Sequence, residues 1–138
     1  MVKILMNMEF NLKTWIVPEP RPNKKTLNNP EFELLIIILN LSVISGKDVM
    51  VSNEWLSNKI RRNIRTVKRL KSKLEGLNLI KVDRSGVGRG GVATIRINEY
   101  QVNEMFGYYV LEELRRVFAD ENIKDLVNGC KYAPFRDV

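Results

Sequence analysis

The sequence predicts a mainly helical fold with a small β-hairpin and a helical extension at the C-terminal end. Apolar residues recur with the period of an α-helix through 64–77, directly after a residue type that caps helices. Two short strand-like runs, 79–84 and 92–97, then flank the glycine-rich segment 85–91. This second pattern is typical of two antiparallel strands joined by a loop.

The first third of the chain is expected to hold a buried helix behind an extended arm. Alternation along 1–15 predicts an edge strand or a hairpin arm, and four prolines within 17–30 predict an extended connector. A helix is then expected from an N-cap at Asn29 to a glycine stop at Gly46. Because residues 34–41 are apolar nearly all round, we expect this helix to be enclosed by other elements.

Two more helices are expected before the hairpin. Ser52 or Asn53 is the expected N-cap of the second helix, and Asn63 is that of the third. Asn78 lies where the chain leaves the third helix, and asparagine tolerates the left-handed conformation needed there. The third helix is expected to bury one apolar face, made of Ile64, Val67, Leu70, Leu74 and Leu77.

The positive charge is concentrated in one part of the chain. The whole sequence carries a net charge of +7, but residues 51–98 alone carry 12 basic and 3 acidic side chains. Residues 1–50 are nearly neutral and residues 99–138 are acidic. A localised basic segment of this kind is typical of a nucleic-acid-binding surface, although a basic solvated helix face is the alternative interpretation.

The residue types that are missing exclude several classes of site. Histidine is absent and Cys130 is the single cysteine, so the chain lacks the usual general base and the usual zinc ligands. The acids of the basic segment, Glu54, Glu75 and Asp83, are scattered, which disfavours a metal-dependent nuclease. We therefore expect no enzymatic activity, no cofactor and no metal.

The same composition indicates where the protein works. The longest apolar run, 34–39, is too short to span a membrane, and a single cysteine fits a reducing compartment. The sequence therefore predicts a cytoplasmic protein without a membrane partner.

Residues 52–98 resemble the winged helix-turn-helix domains of bacterial and mobile-element transcription regulators and replication initiators. The segments that carry the resemblance are 55–60, 65–70 and 73–80. Such domains usually have glycine in the turn between the second and third helices, then an apolar residue, then a serine cap. This chain has Arg61, Arg62 and Asn63 at those places.

The resemblance implies double-stranded DNA as the partner, with the third helix in the major groove. Arg65, Thr66 and Arg69 are the expected base-reading residues, because arginine can bind guanine through two hydrogen bonds and threonine can contact a thymine methyl group. The expected phosphate-binding residues are Asn53, Arg61, Arg62, Asn63, Lys68, Lys71, Ser72 and Lys73.

The glycine-rich loop corresponds to the wing in this resemblance. Arg84 at its base and Arg89 at its tip are the expected wing contacts to the backbone or minor groove. An ordinary hairpin loop with solvated arginines is the alternative.

The chain is divided into an N-terminal arm (1–28), a DNA-binding domain (29–98) and a C-terminal extension (99–138). The extension is expected to be helical from Glu99 to about Phe118. Its apolar stripe has two interpretations, either packing on the chain's own core or pairing with a second copy in a homodimer. The stripe consists of Tyr108, Leu111, Leu114, Val117 and Phe118.

The function expected from these features is site-specific binding of double-stranded DNA, in transcription regulation or in replication initiation of a plasmid or phage. A replication initiator would also need a replication protein as partner. The alternative function is a winged-helix module that binds proteins and has no sequence-specific affinity for DNA.

Overall fold

A computed structural model of the protein describes residues 2–6, 14–18, 27–46, 48–84 and 92–119. Over these ranges the chain is mainly helical, with a two-stranded hairpin and a three-stranded antiparallel sheet, as expected for an α-rich fold with one small sheet. The elements in chain order are β1 (Val2–Met6), β2 (Thr14–Pro18), α1 (Asn29–Ser45), β3 (Val49–Met50), α2 (Asn53–Ile60), α3 (Ile64–Gly76), β4 (Ile80–Asp83), β5 (Thr94–Ile97), α4 (Glu99–Phe106) and α5 (Val110–Phe118).

Helix α1 begins one residue earlier than the sequence pattern predicts. Asn28, not Asn29, is the N-cap: its Oδ1 accepts a hydrogen bond from the Glu31 amide at 3.0 Å. Glu31 in turn accepts from the Asn28 amide at 3.0 Å, which completes a capping box. Both asparagines are good caps, and the glutamate three residues after Asn28 selects between them. The predicted stop is confirmed, since Gly46 has φ 74°.

The prediction that α1 is enclosed is confirmed. Every residue of the run Leu34–Leu39 is fully buried, and so is Leu41. Helices α2, α3 and α5 and strands β2 and β3 pack around α1. The buried amide of Asn40 donates to the Ile36 carbonyl at 2.8 Å, so this polar group is hydrogen-bonded inside the apolar helix. Together these contacts place the core around α1.

The sheet has the order β3-β5-β4, with both pairs antiparallel. Ile95 pairs with Val49 on one side and with Val82 on the other, and all three side chains are buried. Lys81 and Arg96 face each other on the exposed side. The two predicted hairpin strands are thus confirmed, and the glycine-rich segment between them lies outside the described residues.

The N-terminal segment forms the hairpin arm expected from its alternation. Strands β1 and β2 pair antiparallel, with Ile4 opposite Ile16. Strand β2 lies against α1 and α5. Most of the expected connector after β2 lies outside the described residues.

The prediction of one continuous helix from Glu99 to Phe118 is wrong. The helix ends at Gly107, which has φ 87°. A new helix, α5, then begins, and Asn103 of α4 accepts the Val110 amide hydrogen at its start at 2.8 Å. The sequence pattern could not predict this break, because the apolar residues continue at helical spacing from α4 into α5.

Helix α5 packs on the chain's own core, which is the first interpretation of its apolar stripe. Leu111 and Leu114 are buried among the core residues, and Val117 packs against them. Tyr108 meets Phe106 edge-on with ring centroids 6.3 Å apart. Both leucines are buried within a single copy of the chain, so the structure favours the first interpretation for them. The Phe118 side chain lies outside the described part of the chain, and a homodimer stays a prediction that would need other contacts.

Among the described residues, no helix combines the length and the apolar content needed to cross a membrane.

Two glycine substitutions form a matched test of the helix ends. A Cβ at Gly46 or at Gly76 would meet no atom within 4 Å, so only the backbone differs between them. Gly46→Ala should lower the free energy of unfolding by about 1 kcal/mol, because φ is +74° there. Gly76→Ala should raise it by about 0.4–1 kcal/mol, because alanine restricts the unfolded chain. Urea denaturation followed by circular dichroism measures both, and equal effects would contradict the left-handed cap.

Candidate nucleic-acid interface

The turn between α2 and α3 is built around an arginine in a left-handed conformation. Arg61 has φ 58°, and its amide donates to the Ser57 carbonyl. The Arg62 amide donates to the same carbonyl at 3.1 Å, and the Ser57 hydroxyl donates to the Arg62 carbonyl. This is the place where the resemblance leads us to expect glycine. A side chain in this conformation costs roughly 1–2 kcal/mol, so Arg61 is retained against its backbone preference.

Asparagines fix both ends of α3, as the sequence predicts. Asn63 accepts the Thr66 amide hydrogen at 2.8 Å. At the other end Asn78 has φ 63°, and the Leu79 amide donates to the Leu74 carbonyl at 3.0 Å. Leu74 and Leu79 are both buried in the core, so the chain leaves the helix towards the interior at this left-handed cap.

Helix α3 presents a basic surface because its apolar residues face α1. Val67, Leu70 and Leu74 are buried. Arg65, Lys68, Arg69, Ser72 and Lys73 are exposed, and Thr66 is half-buried. One of the five expected core residues is placed wrongly: Ile64 is 41% exposed, because it lies in the first turn at the edge of the apolar face.

The basic side chains of α3 are not neutralised within the described part of the chain. The salt bridges there involve Arg84, Arg96, Arg115 and Arg116. Arg65, Lys68, Arg69 and Lys73 take part in none of them. Like charges on one helix face repel each other, so this surface favours an anionic partner.

Lys71 does not lie on this exposed surface, although it was expected to reach phosphates together with its neighbours. Its side chain is only 4% exposed, and its Nζ donates to Asn53 Oδ1 at 2.7 Å. Burial is the main reason that the pKa of Lys71 is lowered, and the charges of Arg84 and Lys68 add to the effect while Glu75 opposes it. The predicted role of Asn53 changes too, because its amide oxygen holds this lysine.

Two clefts border α3, one on each side of the exposed ridge formed by Arg65, Arg69 and Ser72. The larger cleft has a volume of about 450 Å³ and lies between α3, the start of α2 and the end of β4. The smaller one, about 230 Å³, lies between α3 and the start of α1. Thr66, Arg69 and Lys73 line the smaller cleft together with Arg62. Neither cleft could be predicted from the sequence, because each is formed by segments that are distant along the chain.

The base of the predicted wing lies beside the larger cleft. Arg84 forms a salt bridge with Glu75 at 3.5 Å and lines the cleft with Ser52 and Ala93. Ser52 is the N-cap of α2, where it accepts the Trp55 amide hydrogen at 3.0 Å. Helix capping was the only role that the sequence indicated for Ser52. The other wing residue, Arg89, lies outside the described residues.

Other kinds of site find little support in the described ranges. No group of three or more cysteine, aspartate or glutamate residues there is placed to hold a metal ion. Trp55 packs against the core, and the Lys59 ammonium lies 5.1 Å from its ring centroid. These contacts assign Trp55 to the core and do not support a role as a platform for base stacking.

Replacing Lys71 should change how stability depends on pH. Because burial lowers the pKa of Lys71 below 10.5, the folded chain loses this proton at a lower pH than the unfolded chain. Between the two pKa values the unfolded state binds more protons, so the contribution of Lys71 to stability rises with pH. The unfolding free energy of the wild type relative to Lys71→Met should therefore increase between pH 7 and pH 10.5.

Urea denaturation of both proteins across this range measures the effect. Lys73→Met removes an exposed lysine of the same helix, whose charge is not among those that shift the pKa of Lys71, and is the matched control. If the free-energy difference between wild type and control rose with pH by the same amount, the pH dependence would come from the basic surface as a whole and not from the burial of Lys71.

No protein-family model, curated protein or solved structure matches this chain. The chemistry of its own residues is therefore the basis for assigning a function.

Proposed function

We propose that this protein is a winged helix-turn-helix protein that binds specific sites on double-stranded DNA. The observation that carries the proposal is the exposed basic surface of α3, whose cations have no acidic partners in the described part of the chain. A duplex supplies the missing negative charge along a regular surface, and an α-helix fits its major groove.

The order of the elements supports the winged-helix assignment. Helices α2 and α3 are joined by a short turn, and a pair of antiparallel strands, β4 and β5, follows directly. Strand β3 adds to the far side of β5, which ties the hairpin to the region before α2. In this arrangement the segment between β4 and β5 is the proposed wing, with Arg84 and Arg89 as its cations.

Different side chains of α3 are assigned different roles. Arg65 and Arg69 lie on the exposed ridge, and Thr66 lies beside them at the edge of the smaller cleft. These three are the proposed base readers. Arg61 and Arg62 in the turn, with Lys68 and Lys73 on the two flanks, are the proposed contacts to the phosphate backbone. The biological role is either transcription regulation or replication initiation, and a second copy of the chain is a proposed partner.

Base-reading and phosphate-binding residues should respond differently to substitution. Selection from random duplexes would first define the preferred site. Arg65→Ala and Arg69→Ala should then weaken binding to that site by about 1–3 kcal/mol and weaken binding to random DNA less, because a bidentate contact to guanine is lost. Fluorescence anisotropy with both duplexes measures the difference. Equal losses of affinity for both duplexes would show that these arginines contact only the phosphate backbone of the DNA.

Substitution of the proposed phosphate contacts should lower affinity without changing sequence preference. Lys68→Ala and Lys73→Ala should weaken binding to both duplexes and reduce the slope of log affinity against log salt by about 1 each. Arg116→Ala is the charge-matched control, because Arg116 is exposed on α5 and pairs with Glu113 at 2.8 Å. The protein-binding alternative would be favoured if the DNA affinity of the wild type depended on salt as weakly as that of the variants and if the selection enriched no site.

A further inference from the structure

The larger cleft beside α3 gathers three cations from two parts of the fold. Lys68 and Lys71 come from α3, and Arg84 follows directly after β4. Ser52, Asn53 and Ser72 complete the polar part of its lining, while Val51 and Ala93 supply the apolar part. Among the described residues that line it there is no acidic side chain, and its volume is about 450 Å³. We call this cleft the basic pocket.

One cation of the basic pocket, Lys71, is itself buried in the wall of the cleft. Lys71 is 4% exposed, and one of the three donors of its ammonium group is used by Asn53 at 2.7 Å. Burial lowers the pKa of Lys71, and the nearby charges of Arg84 and Lys68 lower it further. The Glu75 carboxylate is the nearest compensating group, and it is already paired with Arg84 at 3.5 Å. An anion inside the pocket would relieve this repulsion.

The donors around the pocket fit an oxyanion with several acceptor oxygens. Two ammonium groups and a guanidinium group provide charge-assisted hydrogen bonds. The Ser72 hydroxyl can add a neutral one. Because Asn53 turns its oxygen towards Lys71, its amide nitrogen is left as a donor. The pocket also opens beside the N-terminus of α2, whose first amide hydrogens favour negative charge.

We propose that the basic pocket binds a single phosphate group, held by Lys68, Lys71 and Arg84. A backbone phosphate of a bound duplex and a free phosphorylated small molecule present the same chemistry to these donors. The first source rests on the proposed function, because the pocket borders the exposed ridge of α3. The second source would make the pocket a site that a phosphorylated small molecule occupies while DNA is bound.

Inorganic phosphate is the probe, and the full chain is titrated with it while amide shifts are followed by NMR. A chloride titration at the same ionic strength corrects for screening. Phosphate should shift the amides of Asn53 and Ser72 beyond the chloride effect. Lys71→Met and Lys68→Ala should each weaken phosphate binding about tenfold, because a charge-assisted hydrogen bond is lost.

Two controls keep the result interpretable. Lys68 is exposed, so Lys68→Ala gives an answer even if replacement of the buried Lys71 disturbs folding. Arg116→Ala removes the same charge from α5 and should leave phosphate affinity unchanged. Absence of phosphate-specific shifts at Asn53 and Ser72, or wild-type phosphate affinity in Lys68→Ala, would overturn the proposal.

A second titration with duplex DNA identifies the source of the phosphate. If the duplex displaces inorganic phosphate from the pocket, the proposal holds with a backbone phosphate as occupant. If duplex and phosphate bind together, the proposal holds with a free phosphorylated molecule as occupant. If the protein binds phosphate but no duplex, the phosphate site is supported and the proposed DNA binding is rejected. If it binds the duplex but phosphate causes no shifts at the pocket, DNA binding is supported and the phosphate site is rejected.

Discussion

Enclosure of α1 is the packing constraint on which the rest of the structure depends. A helix that is apolar on all sides is stable only when other elements cover it, and each leucine or isoleucine removed from water contributes about 1.5–3 kcal/mol. Helices α2, α3 and α5, strand β3 and the N-terminal hairpin share this task. Because α3 turns its apolar face to the core, Arg65, Lys68, Arg69 and Lys73 are left on the outside. The position of the candidate interface thus follows from core packing.

Short-range hydrogen bonds and left-handed residues then define both ends of α3. Asn63 caps its start, and the left-handed residue Asn78 turns the chain into β4 at its end. Arg61 closes the turn before it in a conformation that glycine would adopt at lower free energy. The proposed contact between the Arg61 side chain and the phosphate backbone gives a reason for a charged residue at this position.

The charges of this surface reflect a balance between stability and binding. Exposed cations on α3 have acidic partners nowhere in the described ranges, and Lys71 is buried beside two further cations. Asn53 compensates for part of this cost by accepting a hydrogen bond from the Lys71 ammonium. A bound anion would reduce this repulsion, so both the ridge of α3 and the basic pocket favour an anionic partner.

Local signals in the sequence determined the elements themselves. The period of the apolar residues and the capping asparagine at position 63 defined α3, and the apolar run 34–41 predicted a buried helix. Such signals act within a few residues, so they are readable from the chain. Only the tertiary structure decided that Lys71 turns inwards to Asn53, eighteen positions away, and that Ile64 stays exposed. It also decided which segments form the two clefts. These features depend on how α2, α3 and the sheet are placed around α1, and that placement is set by packing between distant residues.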